Sequence, residues 1–283
     1  MRLTFLGTSA AELYPAAFCQ CEYCNRARQL GGRNVRANAA AFLAPDCLID
    51  LTRATAVQAH RFGVPLERIE HLFITHAHGD HFDLDLLWWS RYREEPSDSP
   101  GCRESPAPLL HLYAPPRVYA MLYQDGQGPD PDLHRTQVHP LEYGGRFQAG
   151  DMACVALEAN HQDGDGRRAM NYIIQRGGRT LLYALDTSWF LDETLERISE
   201  YRYDLVVLDA TYGLCSEHDT QHGDLALAKR ALALFMERDL LREGACFCIS
   251  HLSPHWTPVH DDLTALLEGT GITVAYDGLT VGV

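Results

Sequence analysis

Residues 75–81 read Thr-His-Ala-His-Gly-Asp-His and directly follow an apolar stretch. The four potential metal ligands of this segment are His76, His78, Asp80 and His81. Alternate residues of an extended chain face the same way, so the first two histidines can bind one ion. A turn at Gly79 then lets the aspartate and the last histidine reach a second ion. Nitrogen and oxygen ligands of this kind suit zinc, manganese or iron better than calcium or magnesium. A histidine-rich surface loop is the alternative, but strand ends are where α/β folds build their sites.

The segment resembles the metal-binding motif of the metallo-β-lactamase superfamily. That resemblance implies three further ligands at strand ends: a distant histidine, an aspartate that bridges both ions, and a final histidine. The chain has His161, Asp186 and His251 in that order, each after an apolar run at residues 153–157, 180–185 and 245–250. Any one of them alone would be an ordinary loop residue, so the ordered set carries the prediction. The resemblance covers most of the chain, from about residue 2 to the C-terminus.

The resemblance also implies how these ligands are divided between two divalent ions, manganese or zinc. One ion would take His76, His78, His161 and Asp186, and the other would take Asp80, His81, Asp186 and His251. Two such cations about 3.5–4 Å apart can hold a hydroxide at neutral pH and clamp the oxygens of an in-line displacement at phosphorus. Asp80 could also orient that hydroxide, which makes it a candidate catalytic residue.

Three cysteines within six residues form a second candidate metal site: Cys19, Cys21 and Cys24. The sequence shows no basic and apolar leader and no apolar run near the ~20 residues that a membrane-spanning helix needs, so we expect a cytoplasmic protein without a membrane association. In that compartment a CxCxxC cluster favours thiolate metal ligation over a disulfide. Three thiolates need a fourth ligand to close a tetrahedral structural zinc site. A redox or chance cluster is the alternative.

The cysteine cluster narrows the resemblance to the PhnP phosphodiesterase family. The matching segments are residues 7–9 (Gly-Thr-Ser), 19–24, 75–81 and 276–278 (Tyr-Asp-Gly). The family's structural zinc takes its fourth ligand from a histidine shortly after the last catalytic ligand, which implies His255 here, one residue further along than in the family. The family also has a non-ligand acid–base histidine, which implies His222 in the run Gln-His-Gly-Asp-Leu. The alternative is that His222 only precedes a helix that Asp224 starts.

These observations predict a metal-dependent hydrolase of small phosphodiesters, including cyclic ribose or nucleotide phosphates, with His222 as the general acid. The net charge of −14 argues against an extended nucleic-acid surface. Three alternatives stay open. One is a tRNA 3′-processing endonuclease, which residues 209–212 (Asp-Ala-Thr-Tyr) and His222 resemble. The second is a thioester or lactam hydrolase, and the third is a non-hydrolytic protein like PqqB, whose N-terminus is also rich in cysteine. A homodimer is an open alternative to a monomer.

The elements that must position these residues alternate between strands and helices. Strands are predicted at residues 3–5, 40–43, 47–50, 71–75, 110–113, 154–158, 172–175, 181–185, 205–209, 246–250 and 273–276. Helices are predicted at residues 54–62, 84–93, 191–201, 224–242 and 261–268. Composition alone indicates an α/β fold, and the resemblance specifies an αββα four-layer sandwich as one domain over residues 1–283. Residues 94–108 and 124–131 are predicted loops that could rim the pocket.

Overall fold

The computed structural model describes residues 1–91, 108–124, 128–129, 134–217 and 220–283, with only the backbone described at positions 90 and 91. Most of the two predicted loops, at 94–108 and 124–131, therefore lies outside the described residues. Strands of the described part form two seven-stranded sheets.

The first sheet contains the motif-bearing strand. In chain order its strands are β1 (Arg2–Gly7), β2 (Ala40–Leu43), β3 (Cys47–Ile49), β4 (His71–Phe73), β5 (Leu110–Ala114), β6 (Thr136–Pro140) and β14 (Thr280–Gly282). They lie in the order β14-β1-β2-β3-β4-β5-β6. The strands from β3 to β6 are parallel, so their carboxyl ends share one edge of the sheet. The 75–81 segment leaves β4 at that edge.

The second sheet carries the later ligands. Its strands are β7 (Arg146–Ala149), β8 (Met152–Gly164), β9 (Arg167–Arg176), β10 (Arg179–Ala184), β11 (Tyr203–Asp209), β12 (Leu241–Ser250) and β13 (Ile272–Val274). They lie in the order β13-β12-β11-β10-β9-β8-β7, with β10 to β13 parallel. Asp186 and His251 follow the carboxyl ends of β10 and β12.

Alternation along the central strands produces the layers of the sandwich. In β11, Leu205 and Val207 belong to the apolar core between the two sheets, whereas Val206 and Leu208 belong to the outer core under the helices. Successive side chains of a strand point to opposite faces, so a strand with helices on one side and a sheet on the other must be apolar throughout. A third core covers the outer face of the first sheet. Helices, two sheets and helices make the predicted αββα fold, which is confirmed.

Helices cover the outer faces of both sheets. They are α1 (Glu22–Leu30), α2 (Thr55–Phe62), α3 (Leu84–Arg91), α4 (Pro116–Leu122), α5 (Asp192–Ile198), α6 (Leu225–Glu237) and α7 (His260–Leu266). The predicted helix at 224–242 is too long, because the chain turns at Asp239 with a φ of +53° and residue 241 already begins β12. Helices α1 and α4 were not predicted. Each is short and buries only two of its residues, which leaves little periodicity to detect.

Within the described part of the chain, no helix has the length and apolar character needed to cross a membrane.

Candidate metal centre

The seven predicted ligands of the catalytic ions lie close together, at the end of the two sheets where the parallel strands have their carboxyl ends. Their donor atoms come from the loop after β4, from β8, and from the residues just past β10 and β12. All but His78 and Asp80 are at least nine-tenths buried. Imidazole and carboxylate groups rarely occupy such positions without a partner that satisfies them, so the arrangement itself calls for bound cations.

The first donor set consists of three histidine nitrogens and one carboxylate oxygen. Nδ1 of His78 lies 2.9 Å from Nε2 of His76 and 3.3 Å from Nε2 of His161. Oδ1 of Asp186 lies 3.9 Å from Nε2 of His76 and 3.8 Å from Nε2 of His161. A tetrahedral ion with bonds of about 2.0–2.1 Å separates its ligands by about 3.3–3.4 Å. The three histidine nitrogens lie within 4.8 Å of one another and can hold one such ion, and Oδ1 of Asp186 lies near two of them.

The second donor set combines two histidines with two aspartates. Nε2 of His81 lies 3.4 Å from Oδ2 of Asp80, 3.0 Å from Oδ2 of Asp186 and 3.1 Å from Nε2 of His251. Nε2 of His251 lies 3.8 Å from Oδ2 of Asp80 and 3.3 Å from Oδ2 of Asp186. The atoms of Asp80, His81 and His251 lie within 4.8 Å of one another and can hold one ion, and Oδ2 of Asp186 lies near both histidines. Asp186 offers one oxygen to each set, as a bridging carboxylate does.

The surroundings of one buried atom, Oδ2 of Asp186, bear on whether metals fit this centre. Oδ2 of Asp186 is buried and, among the described residues, no hydrogen bond reaches it, although two imidazole nitrogens lie within 3.3 Å. An unsatisfied carboxylate oxygen inside a protein is costly. A cation between that oxygen and the two nitrogens would satisfy all three atoms. The residues present therefore fit divalent metals, of a kind that takes mixed nitrogen and oxygen ligands.

Two local geometries differ from the predictions. Strand β4 ends at Phe73, so His76 and His78 lie in a loop and meet through different ring nitrogens instead of alternating along a strand. His161 lies inside β8, which runs on to Gly164, and not after a strand end. The pairing of β8 with β9 shifts register between Glu158 and Gln162. Such a bulge re-aims a side chain without ending the strand, and this explains why the apolar run stopped before the strand did.

A buried aspartate that the sequence analysis missed supports His81. Oδ2 of Asp50 lies 2.8 Å from Nδ1 of His81, and the backbone N–H and hydroxyl of Thr75 both donate to Asp50. A carboxylate on the second nitrogen of a metal-binding histidine fixes which nitrogen faces the ion. Asp50 directly follows the apolar strand β3. That position behind a strand is the signal that could have found it.

Asp209 is the second missed residue and connects several parts of the centre. Its Oδ2 accepts the backbone N–H of Asp186 at 3.0 Å and lies 3.2 Å from Nδ1 of His222 and 3.4 Å from Nδ1 of His251. Its Oδ1 accepts the backbone N–H groups of Thr211 and Gly223. Burial raises the pKa of this carboxyl, but the neighbouring His222 and His251 outweigh that effect and lower the pKa below its usual value. Asp209 closes β11, so it too follows an apolar strand.

Three aspartate or histidine residues at the centre have left-handed backbone conformations. The φ angles are +64° at Asp50, +49° at Asp186 and +61° at His251. Each such conformation costs on the order of 1–3 kcal/mol for a residue other than glycine. It persists where the surroundings determine it, and here each side chain is held by the contacts already described. The strain is concentrated where side-chain placement matters most.

His222 lies beside both donor sets. Its ring is 4.6 Å from that of His161 and stacks at 5.6 Å on that of His251, measured between centroids. Its Nδ1 is 3.2 Å from Oδ2 of Asp209 and 3.8 Å from Oδ1 of Asp186. Burial lowers the pKa of His222, but the charge and hydrogen bond of Asp209 outweigh burial and raise the pKa above its usual value. The imidazole is therefore oriented through Nδ1.

The predicted structural zinc site is brought together by a helix start and a loop. Cys21 caps the N-terminus of α1, where its Sγ accepts the backbone N–H of Cys24 at 3.5 Å. Donor atoms of Cys19, Cys21 and His255 lie within 4.8 Å of one another. Cys24 lies in the first turn of α1, where burial raises the pKa of its thiol to about 12. Hydrogen bonding from the backbone N–H of Cys21 lowers the pKa of Cys19, which favours the thiolate that a metal binds.

The loop after His251 supplies the extra residue before His255. Ser253 accepts the backbone N–H groups of Trp256 and Thr257, and its Oγ lies 3.2 Å from Oε1 of Glu12. This turn brings the exposed His255 back to the cysteines despite the longer spacing. Three of the four side chains that the sequence analysis assigned to zinc, those of Cys19, Cys21 and His255, thus meet at one place, and the fourth, Cys24, lies in the first turn of α1.

The chain matches the sequence profile of the β-lactamase superfamily domain over residues 44–241, and it belongs to that family. No curated protein sequence matches the chain significantly.

Solved structures share the fold over the full length. A diphosphatase from the PhnP family is 21% identical, with 99% of this chain and 97% of that chain covered and a TM-score of 0.73. Zinc-bound PqqB from Methylobacterium extorquens is 18% identical, with both chains fully covered and a TM-score of 0.75. Human tRNase Z, short form, is 18% identical, with 100% and 99% covered and a TM-score of 0.62. Family, fold and the His/Asp clusters together make this chain a metal-dependent hydrolase.

Proposed function

We propose that the chain hydrolyses small phosphodiesters, including cyclic ribose or nucleotide phosphates, at a binuclear metal centre. The observation that carries this proposal is the position of His222, which is held by Asp209 at 3.2 Å beside two donor sets that share Asp186. Hydrolysis of a thioester would have less need of a separate, carboxylate-oriented imidazole, because a thiolate leaves without a proton. Cleavage of an alkyl phosphodiester needs one, because an alkoxide is a poor leaving group without a proton.

The proposed ligands are the seven residues of the two donor sets, and manganese or zinc would satisfy both. When bound, the two ions supply Lewis-acid neutralisation of the phosphate oxygens and lower the pKa of water towards neutrality. Asp186 would contribute an oxygen to each ion, since its Oδ1 lies 3.8 Å from Nε2 of His161 and its Oδ2 lies 3.3 Å from Nε2 of His251. Asp80 is the least buried of the aspartates at the centre, which suits a role in orienting the attacking water.

His222 completes the reaction as the proton donor. In the hydrolysis a water molecule loses one proton to solvent, its oxygen forms the new bond to phosphorus, and the bond to the leaving oxygen breaks. The proton on His222 moves to the leaving oxygen, and His222 then takes up a proton from solvent. Asp209 at Nδ1 stabilises the protonated imidazole and leaves Nε2 to face the substrate. The side chain of His222 is 18% exposed, so a ligand can reach it.

Charge favours a small substrate. The net charge of −14 is reduced but not cancelled by three divalent ions, so a polyanion is repelled at long range. A phosphodiester monoanion is penalised less, because repulsion is screened within ~8 Å at physiological salt.

A tRNA 3′-processing endonuclease is the main alternative, because Asp209, Thr211 and His222 lie in the segments that resemble such enzymes. A thioester or lactam hydrolase and a non-hydrolytic PqqB-like protein use the same fold. The solved structures of similar fold include both a tRNase Z and PqqB, so the fold alone does not choose among these functions. We favour the small phosphodiester on the basis of His222 together with the acidic surface.

A turnover panel tests the proposal. Purified protein is stripped of metal, reloaded with Mn²⁺ or Zn²⁺, and assayed with bis(p-nitrophenyl) phosphate, a nucleoside 2′,3′-cyclic phosphate, a pre-tRNA and a thioester. We expect turnover of the two small phosphodiesters in the loaded protein and none in the stripped protein. Cleavage of the pre-tRNA or thioester with no activity on either small ester would overturn the proposal.

A further inference from the structure

Arg117 lies at the same sheet edge as the metal ligands and has no role in the site described so far. Strand β5 runs parallel to β4, with Phe73 opposite Tyr113, so the chain leaves both strands at one edge. The 75–81 segment follows β4, and α4 follows β5 with Arg117 as its second residue. The carboxyl ends of adjacent parallel strands are where α/β folds place ligand-binding groups.

The tip of the β8–β9 hairpin lies between Arg117 and the 75–81 segment, which is called the metal loop below. Asp163, two residues after His161 on the same face of β8, is fully buried and accepts the backbone N–H of Ala77 at 2.9 Å. Ala77 stands between the ligands His76 and His78. Nη1 of Arg117 lies 3.7 Å from the same oxygen of Asp163. The carboxylate of Asp163 therefore contacts both the guanidinium and the loop that supplies His76 and His78.

The hairpin also forms a cradle for this guanidinium. A Cβ at Gly164 would lie 2.1 Å from Nη1 of Arg117, so the absence of a side chain there makes room for the cation against the backbone. Gly164 has a φ of +85°, which favours glycine for a second reason. Arg167 donates to the backbone carbonyl of Pro116 at 2.9 Å and fixes the start of α4 to the hairpin.

The residues that the structure describes leave the donors of Arg117 available. Within the described part of the chain its guanidinium makes no hydrogen bond, since the contact with Asp163 at 3.7 Å is an ion pair only, and its side chain is 31% exposed. An arginine retained solely to neutralise Asp163 would be expected to donate to it directly. A planar fork of N–H groups, placed in a cradle and left without acceptors, suits a phosphate oxygen.

We propose that Arg117 binds a phosphate oxygen of the substrate and thereby sets the specificity of the metal centre for phosphate esters. This inference rests on the proposed function. The oxygen belongs either to the reacting phosphate or to a second phosphate on the same substrate. Both share the anionic, bidentate chemistry that a guanidinium recognises. Asp163 acts as a positioning residue, because it holds the cation on one side and the backbone of the metal loop on the other.

The test compares Arg117→Gln and Arg117→Lys with the control Arg68→Gln, an exposed arginine away from the centre. Each variant is loaded with metal and assayed on a nucleoside 2′,3′-cyclic phosphate with and without a 5′-phosphate. We expect Arg117→Gln to raise KM about 10- to 100-fold, the loss typical of a charged hydrogen bond, while metal content and Tm match the control. The KM of Arg117→Lys should lie between those of the wild type and Arg117→Gln, because lysine keeps the positive charge but lacks the planar fork of N–H groups. A raised KM on both esters would assign the oxygen to the reacting phosphate. A raised KM on the 5′-phosphorylated ester alone would assign the oxygen to the second phosphate.

Unchanged KM on both esters would overturn the role of Arg117, as would a loss that tracks loss of metal or of Tm. Binding of inorganic phosphate, measured by calorimetry, separates this result from failure of the proposed function. If the wild type cleaves no phosphodiester but Arg117→Gln still weakens phosphate binding tenfold or more, the function fails and the anion site stands. If the wild type cleaves the esters and Arg117→Gln binds phosphate like the wild type, the anion site fails alone.

Discussion

The backbone N–H of Asp186 donates to Oδ2 of Asp209 at 3.0 Å, so one buried carboxylate positions the residue whose own carboxylate is shared by both donor sets. The same oxygen of Asp209 lies 3.2 Å from Nδ1 of His222. The proposed bridging ligand and the proposed general acid therefore depend on a single side chain at the end of β11. In the proposed mechanism, metal binding and proton transfer would therefore share the same support.

Replacing the shared ligand should remove both catalytic ions. We expect Asp186→Ala to lose two metals per chain, because each donor set loses an oxygen and the buried charge that favours a cation. His161→Ala should weaken mainly one ion. Elemental analysis after dialysis measures this, with the exposed Asp192→Ala as the control. Two catalytic ions retained at wild-type affinity in Asp186→Ala would refute the shared-ligand assignment.

Replacing the supporting carboxylate should weaken metal binding without removing a ligand. We expect Asp209→Asn to lower metal affinity about 10- to 100-fold, the usual effect of losing a group that orients the ligands. A chelator competition titration gives the affinities. Asp239→Asn is the matched control, since that carboxylate is 79% exposed and, among the residues that the structure describes, pairs with Arg202 alone. Equal affinities in the two variants would mean that Asp209 does not position the centre.

The sequence predicts the metal ligands of this centre better than it predicts the residues that orient those ligands. The spacing in residues 75–81 and the three later ligands identified side chains that the structure brings together, because a histidine or aspartate after an apolar run is visible in a linear pattern. Asp50 and Asp209 carry the same signal of an acidic residue after an apolar strand, but neither belongs to a ligand motif. Their role depends on which histidine nitrogen they meet, and only the packing of two sheets determines that.

Element boundaries were predicted less well for a similar reason. The bulge that places His161 inside β8 depends on pairing with β9, which lies later in the chain. The end of α6 depends on the left-handed turn at Asp239, where periodicity alone would continue the helix. Tertiary contacts override local preference at both positions.

The cysteine cluster should contribute to stability more than to chemistry. We expect Cys21→Ser to lower zinc content and Tm together, because a closed zinc site adds its binding free energy to folding. His255→Ala should do the same to a smaller extent, and activity per folded molecule should survive better than stability. Cys215→Ser, which lies outside the cluster, serves as the control. An unchanged Tm with full zinc in Cys21→Ser would contradict a structural site, and full zinc retention in His255→Ala would place the fourth ligand elsewhere.

A buried histidine remote from the ligand sets should make stability depend on pH. Nδ1 of His260 lies 3.1 Å from Nη2 of the buried Arg36, so His260 must accept there as a neutral ring. Burial, together with the charge of Arg36, lowers the pKa of His260 to about 4. The unfolded chain binds this proton near pH 6.5 and the folded chain does not, so the stability contributed is present above pH 6.5 and is lost as pH falls towards 4.

The loss from this group should be about 2–3 kcal/mol at most. We expect His260→Asn, whose amide oxygen can accept from Arg36, to remove this part of the pH dependence. Urea unfolding of metal-free wild type and variant between pH 4 and pH 7 measures the difference. Parallel stability curves for the two proteins over that range would show that His260 does not titrate as described.

The leaving-group dependence of His222→Ala tests the central claim most directly. A general acid matters for an alkoxide and hardly at all for p-nitrophenolate, which leaves without a proton. We predict that His222→Ala, with metal content unchanged and His60→Ala as the control, lowers kcat by roughly 10²–10⁴-fold on an alkyl or cyclic ribose phosphodiester. On bis(p-nitrophenyl) phosphate the loss should be much smaller. Equal losses on both substrates, or full activity on both, would contradict the account of His222 as the proton donor to the leaving group.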